Sequence, residues 1–363
     1  MILTPPVMLE APLRTPFVKT RSRRTRSVME APMKYDLDLD SGVVYPGTTM
    51  VDLAKVAEDS GFDAVWKGES NSADPMVALA GMAVGTKSIK LGTAVYHIFG
   101  RSPVTLGIQA ATLNDFSGGR ALIGLGVSNK TIASWHGDTF DRPIRRLREY
   151  AEIVRQVATG ERVEFEGEIY KAGGFKLSWK PSYPKVALYF AGLGEQMTKL
   201  AGRHGDGIMV NMANPAMLKD IFGRVRQGAI DAGRDPDSLE YIAKVRVCLN
   251  PDLDLAKAKL KNTLAFYNVA DHYKDMIASM GFAEESEQIR QTYREKGFRA
   301  AQASVPDALV EQLPTIAART GDEARELLKP YLETGVTRLI IPYVTATDDA
   351  VGETKRFLEA WAA

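Results

Sequence analysis

A chain of 363 residues that is 45% hydrophobic and 25% charged has the composition of a globular protein with a large core. The formal net charge of +1 creates no overall field that would attract nucleic acid or an anionic membrane. No apolar stretch approaches the roughly 20 residues that span a bilayer. The single cysteine, Cys248, excludes an internal disulfide, and its apolar neighbours predict a buried thiol. We therefore expect a cytoplasmic protein that binds neither nucleic acid nor membrane.

Residues 1–32 differ from the rest of the chain. They contain five prolines and six basic against two acidic side chains, a charge of +4 that leaves −3 for the remainder. Such a segment cannot bury enough apolar surface to fold alone. A binding tail, a transit peptide and a start codon placed too early, with Met29 or Met33 as the true start, all fit this composition. We expect a disordered basic extension over 1–32 and one folded domain over 33–363.

From residue 35 onward, short apolar runs alternate with segments of helical spacing. The runs cover residues 35–39, 63–69, 89–98, 121–128, 186–191, 207–211, 241–249 and 338–344. Continuous apolar runs are typical of strands buried on both faces, as in a parallel sheet. Eight such strands alternating with helices predict an α/β fold, the (β/α)8 TIM barrel. A doubly wound open sheet would need fewer strands.

Two segments interrupt this alternation. The first is residues 161–184, in which residues 161–170 alternate in polarity around Gly167 and predict an inserted hairpin. Residues 254–297 are polar with helical spacing, which predicts a helical insertion. The domain is therefore expected to be a barrel with two insertions.

Functional residues of such a barrel collect at the carboxyl ends of its strands. The fifth strand ends in Ala191-Gly192-Leu193-Gly194, and a helix follows directly. Glycines there let a ligand approach the backbone, and the free N–H groups at the helix start favour an anion. This turn indicates either a phosphate site or a tight turn without a ligand.

The other strand ends offer hydroxyl, amide, carboxylate, imidazole and indole groups. They contribute Glu69, Thr93, Ser128 with Asn129, and, in the following segment, Trp135 with His136. This set suits a large planar heteroaromatic ring, which needs flat walls and hydrogen bonds at its edge. Two structural interpretations remain open, since Glu69 would also suit an ion pair at the barrel rim and His136 a loop cap.

Several other chemistries find no support in the sequence. The two G-x-G pairs, at Gly124 and Gly192, lack the third glycine of a dinucleotide fingerprint. The four histidines show no metal-ligand spacing, so we predict no metal site. A serine-hydrolase elbow is absent as well.

Five segments in this order resemble the bacterial luciferase-like monooxygenase superfamily along roughly residues 35–345. They are residues 119–128, 140–143, 148–150, 163–170 and 200–207. One wing of that superfamily uses reduced FMN to add oxygen to a substrate, and the other uses the deazaflavin F420 to transfer hydride. Residues 101–106 and 109–115 resemble the F420 wing, that of methylenetetrahydromethanopterin reductase.

The resemblance implies an F420-dependent oxidoreductase that transfers hydride between the deazaflavin C5 and a small organic substrate. It also implies a homodimer and a cis peptide bond between Ala94 and Val95. The cofactor phosphate would meet Ala191 to Gly194. The ring edge would meet Thr93, Ala94, Val95, Ser128 and Asn129. The substrate would lie under Trp135 and His136.

The chain departs from many F420 relatives at two positions. Glu69-Ser70 stands where they have Asp-His, and Asn129 stands where some have a glutamic acid. Asparagine cannot act as a general acid at neutral pH, so Glu69 or His136 would have to serve where an acid is needed. The predicted catalytic set is therefore Glu69, Asn129 and His136. The alternatives are an FMN-dependent monooxygenase and a flavin-binding barrel without catalysis.

Overall fold

The computed structural model describes residues 33–40, 42–268 and 271–362, and the predicted extension over 1–32 lies outside them. The strands are β1 (Lys34–Asp38), β2 (Ala64–Lys67), β3 (Lys90–His97), β4 (Ala121–Gly126), β5 (Glu164–Glu166), β6 (Lys171–Gly173), β7 (Ala187–Ala191), β8 (Gly207–Val210), β9 (Glu240–Lys244), β10 (Arg246–Leu249), β11 (Thr315–Ala318) and β12 (Arg338–Pro342).

The helices surround the barrel and fill the insertion. They are α1 (Gly47–Asp59), α2 (Pro75–Gly85), α3 (Pro103–Phe116), α4 (Lys130–Trp135), α5 (Pro143–Thr159), α6 (Glu195–His204), α7 (Pro215–Asp231), α8 (Leu253–Asn268), α9 (Asp271–Ile277), α10 (Ala283–Lys296), α11 (Phe298–Ala303), α12 (Asp307–Gln312), α13 (Gly321–Leu332) and α14 (Ala350–Ala362). A 3₁₀ turn at Pro236–Ser238 and a π turn at Ala278–Phe282 complete the set in the described chain.

Eight of the strands close into a parallel barrel in the order β1-β12-β9-β8-β7-β4-β3-β2. This confirms the predicted (β/α)8 fold. The runs are continuous because one strand face fills the barrel and the other packs under the helices; all six residues of β4, for example, are buried. A parallel barrel gathers the carboxyl ends of all its strands at one mouth, which is where the predicted site residues fall.

The predicted hairpin is confirmed, since β5 and β6 pair antiparallel. The prediction of one strand over 241–249 was wrong. The chain leaves the barrel at Val245, and β10 instead pairs in parallel with β11 as a separate two-stranded sheet. An apolar run does not show which strand it pairs with, so this division is invisible in the sequence.

The helical insertion is longer than predicted. It runs from α8 to α12, beyond residue 297, and has an apolar core of its own that includes Leu260, Leu264, Ile289 and Leu309. Cys248 is buried in that same core, as the sequence predicted, and burial raises the pKa of its thiol to about 12. The thiol is therefore protonated at neutral pH and serves as packing.

An ion-pair network closes the amino-terminal end of the barrel. The fully buried guanidinium of Arg338 lies 2.8 Å from Asp36 Oδ1 and 2.7 Å from Asp63 Oδ2, with Glu240 at 3.4 Å. Trp66 Nε1 donates to Asp36 Oδ2 at 2.7 Å, so the remaining carboxylate oxygen is also satisfied. Burial alone would lower the pKa of Arg338, but the three carboxylates outweigh it and raise that pKa.

Replacement of Arg338 by methionine should destabilise the fold strongly. Removing one partner of a buried pair leaves uncompensated charge, at a cost of about 3–5 kcal/mol in the free energy of unfolding. Urea denaturation measures this, with Arg356→Met as the control because the Arg356–Asp349 pair is exposed. A loss no larger than that of the control would contradict the assigned role.

Candidate active site

A bulge in β3 lies at the centre of the barrel mouth. The pairing of β3 with β4 shifts register between Thr93 and Tyr96, and the Ala94–Val95 peptide bond is cis, which confirms that prediction. The buried Thr93 hydroxyl donates to Gly124 O and accepts from Gly124 N, both at 2.9 Å. A Cβ at Gly124 would come within 2.2 Å of Thr93 O, so only glycine fits beside the bulge. Thr93 therefore ties the bulge to β4.

Two further strands hold the carbonyl groups of the bulge. Lys244 Nζ, at the end of β9, donates to Ala94 O at 3.0 Å and to Asp38 Oδ2 at 2.6 Å. The backbone N–H of Glu69 donates to Val95 O at 2.9 Å. Sequence reasoning missed Lys244, although a lysine inside an apolar strand is itself an indication of a buried ionic partner.

The ends of three neighbouring strands form an apolar surface next to this bulge. A Cβ placed on Gly126 would come within 2.8 Å of Val95 Cγ2 and 3.8 Å of Ala191 Cβ. Val95 and Ala191 thus flank bare backbone, and both pack on the apolar cluster inside the barrel. The structure therefore brings the predicted residues Val95 and Ala191 to either side of Gly126, which the sequence prediction did not include. A planar ring needs a surface of this kind.

Ser128 and Asn129 follow β4 and turn the chain into α4. Ser128 adopts a left-handed conformation with φ of 52°. Asn129 is the N-cap of α4, and its Oδ1 accepts from Ile132 N at 3.0 Å. The amide carbonyl of Asn129 is thus engaged in the helix start, and its Nδ2 group is the part suited to a ligand.

Glu69 is locked into a cluster at the rim. Its Oε1 lies 2.8 Å from Arg101 Nη2, and its Oε2 accepts from the backbone N–H of His97 at 3.2 Å. Burial raises the pKa of Glu69, and the charge of Arg101 opposes that rise. The structure thus contains the ion pair at the rim that the sequence left open.

His97 connects Glu69 to His136. Its Nε2 lies 3.2 Å from Glu69 Oε2, and its ring centroid is 4.5 Å from that of the exposed His136. Burial, with the nearby His136 and Arg101, lowers the pKa of His97 to about 4. Because Nδ1 accepts from Phe99 N at 3.3 Å, the proton of the neutral ring belongs on Nε2, which is close to Glu69 but has no hydrogen-bond partner among the described residues.

The turn after β7 has the features of an anion site. Gly194 is the N-cap of α6 and supplies no side-chain cap, so the first N–H groups of that helix are available. Arg224 Nη2 donates to Leu193 O at 3.2 Å, its Nη1 pairs with Asp220 at 2.5 Å, and its buried Nε has no partner among the described residues. Sequence reasoning missed Arg224 because it lies on α7, a neighbouring helix some 30 positions further along the chain.

Comparison with known proteins agrees with this fold and site. A 5,10-methylenetetrahydromethanopterin reductase of Archaeoglobus fulgidus is 29% identical over 79% of this chain and 86% of its own length. An F420-dependent glucose-6-phosphate dehydrogenase of Nocardia farcinica is 28% identical over 80% and 86%. The solved coenzyme F420-dependent tetrahydromethanopterin reductase of Methanopyrus kandleri superposes with a TM-score of 0.79, at 24% identity, over 92% of this chain and 98% of that chain.

A sequence model of a protein family identifies the family of this chain. The model of the luciferase-like monooxygenases matches residues 31–338, so the chain belongs to that family. The predicted membership in this enzyme family is thereby confirmed. None of the helices in the described ranges is long and apolar enough to cross a membrane, and no three metal-ligating side chains among those residues are grouped to hold a metal ion.

The depressed pKa of His97 predicts a pH dependence of stability. An unfolded histidine titrates near 6.5 and the folded one near 4, so the unfolded state gains its proton first as the pH falls. The contribution of His97 to stability is therefore complete above pH 6.5 and declines between 6.5 and 4. As the pH is lowered from 6.5 to 4, the thermal unfolding midpoint of His97→Gln should fall less steeply than that of the wild type. Parallel curves would contradict a neutral buried His97.

Proposed function

We propose that this protein is an F420-dependent oxidoreductase that transfers hydride between the deazaflavin C5 and a small organic substrate. The observation that carries the proposal is the juxtaposition of the fixed β3 bulge with an uncapped glycine turn across Gly126. The proposal is also supported by the similar proteins, which include a methylenetetrahydromethanopterin reductase and an F420-dependent glucose-6-phosphate dehydrogenase.

The residues present fit such a cofactor. Bound there, F420 supplies the carbon that carries the hydride. Ala94 and Val95 provide a backbone wall whose two carbonyl groups are held by hydrogen bonds from Lys244 and Glu69. The ring edge is assigned to Thr93, Ser128 and Asn129. Since the Thr93 hydroxyl is engaged with Gly124, we assign that contact to its backbone.

The phosphate is assigned to the turn from Ala191 to Gly194. The available N–H groups at the start of α6 favour an anion there. The guanidinium of Arg224 lies against the Leu193 carbonyl, but its charge is already paired with Asp220 at 2.5 Å. The nearby Glu195 would oppose an anion, but its carboxylate is paired with Lys199 at 2.6 Å. The net environment of the turn is therefore compatible with a bound phosphate.

We assign proton transfer to the cluster of Glu69, His97 and His136 at the barrel rim. Glu69 is raised in pKa by burial and touches His97, whose ring lies against that of the exposed His136. Within this cluster, we assign proton exchange to Glu69 and His136 themselves and no relay to His97, because its Nε2 has no hydrogen-bond partner among the described residues. Asn129 positions the cofactor ring and does not transfer protons, because an amide has no titratable proton at neutral pH.

A titration with F420 and with FMN tests the cofactor assignment. We expect micromolar F420 binding, followed by fluorescence, and weaker FMN binding. Gly194→Glu should weaken F420 binding by about tenfold or more, because a carboxylate would occupy the phosphate position. The matched control is Gly47→Glu, since both glycines lie at helix starts with open space around a new Cβ.

The alternatives give different results in the same experiment. Tighter binding of FMN, with oxygen consumption in the presence of a flavin reductase, would establish the monooxygenase alternative. F420 binding without turnover with any acceptor would establish a flavin-binding barrel without catalysis. Binding of neither cofactor would contradict the proposal.

We also propose that the protein is a homodimer formed through α2. That helix is apolar on all sides, and Val77 and Val84, seven residues apart on one face, are 74% and 82% exposed. Phe116 on the neighbouring α3 is 65% exposed. A second copy of this chain would cover these side chains.

Val84→Asp should convert the dimer to a monomer, because a carboxylate would be buried in the contact. Size-exclusion chromatography with light scattering measures the mass, and Ile230→Asp is the control because Ile230 is exposed on α7. A monomeric wild type, or a dimer unchanged in Val84→Asp, would contradict this interface.

A further inference from the structure

Four cationic side chains are buried in the described part of the chain, namely Lys67, Lys244, Arg246 and Arg338. Three of them have a carboxylate partner: Lys67 pairs with Asp40, Lys244 with Asp38, and Arg338 with Asp36. Arg246 has no carboxylate within 4 Å among the described residues. Since burying an unpaired charge is costly, Arg246 is the exception that requires an explanation.

The hydrogen-bond acceptors of this guanidinium in the described part of the chain are all neutral. Arg246 Nη1 donates to Asn211 Oδ1 at 3.0 Å and to Met212 Sδ at 3.5 Å, while Nη2 donates to the Tyr267 hydroxyl at 3.1 Å. Its guanidinium carbon also lies 4.8 Å from the centroid of the Tyr267 ring. The five N–H donors of an arginine minus these three leave two without an acceptor in the described residues.

The position of Arg246 connects it to the barrel mouth. Asn211 follows directly on the carboxyl end of β8, the strand beside β7 and its glycine turn. Tyr267 comes from α8, the first helix of the insertion. The guanidinium thus lies where the insertion meets the functional end of the barrel, and it is oriented by both.

We propose that Arg246 binds an oxyanion of the substrate, a carboxylate or a phosphate group. An arginine held in a fixed plane presents paired N–H donors to such a group and matches its geometry. The inference rests on the proposed function, because it assigns the substrate class of the same site. The cofactor has its own anion position at the turn ending in Gly194, so the charge of Arg246 remains for the second ligand.

Titration with inorganic phosphate at constant ionic strength tests the site. In F420-saturated protein, calorimetry should show one saturable phosphate site with a dissociation constant on the order of millimolar. Arg246→Met should weaken that binding by about tenfold or more and leave F420 affinity unchanged. The matched control is Arg226→Met, because Arg226 also stacks on a tyrosine, at 4.7 Å, but is paired with Asp237. The control should bind phosphate as the wild type does.

A measurement on the wild type removes any dependence on how the variant folds. Phosphate should raise the thermal midpoint of the wild type above that in chloride of equal ionic strength, because a ligand that binds only the folded state stabilises it. Arg246→Lys keeps the charge but not the paired donors, and it should retain part of this effect. No saturable binding and no shift of the midpoint would overturn the proposal.

The experiment also separates the two possible sources of the oxyanion. If Arg246→Met weakens F420 binding and leaves phosphate binding intact, the group belongs to the cofactor and the substrate assignment is overturned. If the wild type binds no F420, the proposed function fails. Phosphate titration of Gly194→Glu without cofactor then still tests Arg246 alone, because the substitution blocks the other anion position, at the turn ending in Gly194. Phosphate binding that is lost in the double variant Gly194→Glu/Arg246→Met would then support the site.

Discussion

The active site depends on one constraint, the fixation of the β3 bulge by three other strands. Thr93 ties the bulge to β4, Lys244 of β9 holds the Ala94 carbonyl, and the N–H of Glu69 after β2 holds that of Val95. Lys244 can do this only because Asp38 of β1 neutralises its buried charge. A rigid wall in the barrel mouth thus requires contributions from strands that are far apart in sequence, and the closed barrel brings them together.

Buried charge divides the barrel into layers with different roles. At the amino-terminal end, Arg338 is enclosed by carboxylates and stabilises the closed fold. At the mouth, the paired Lys67 and Lys244 support the strand ends. At the junction with the helical insertion, the partners of Arg246 among the described residues are neutral. The buried cations thus have fewer carboxylate partners toward the mouth, where a bound ligand can supply the missing negative charge.

The barrel could be predicted from the sequence because each strand is marked by a local pattern, a short apolar run. Seven strands lie within two residues of their predicted bounds, since each apolar run ends in turn residues. The break at Val245 could not be found, because residues 241–249 form one apolar run and pairing with β11 is a long-range choice. Partners such as Lys244 and Asp38, which are 206 positions apart, are likewise set by topology. The cap role of Asn129 was within reach, since asparagine before a helix start is a familiar N-cap.

The measurement that tests the account most directly is a crystal structure of the protein with bound F420. We expect the deazaflavin ring against Ala94, Val95 and Gly126, with the phosphate within hydrogen-bonding distance of the free N–H groups at the start of α6, directly after Gly194. We also expect the guanidinium of Arg246 to be free of the cofactor. A ring bound away from the β3 bulge, or a cofactor phosphate on Arg246, would contradict the site described above.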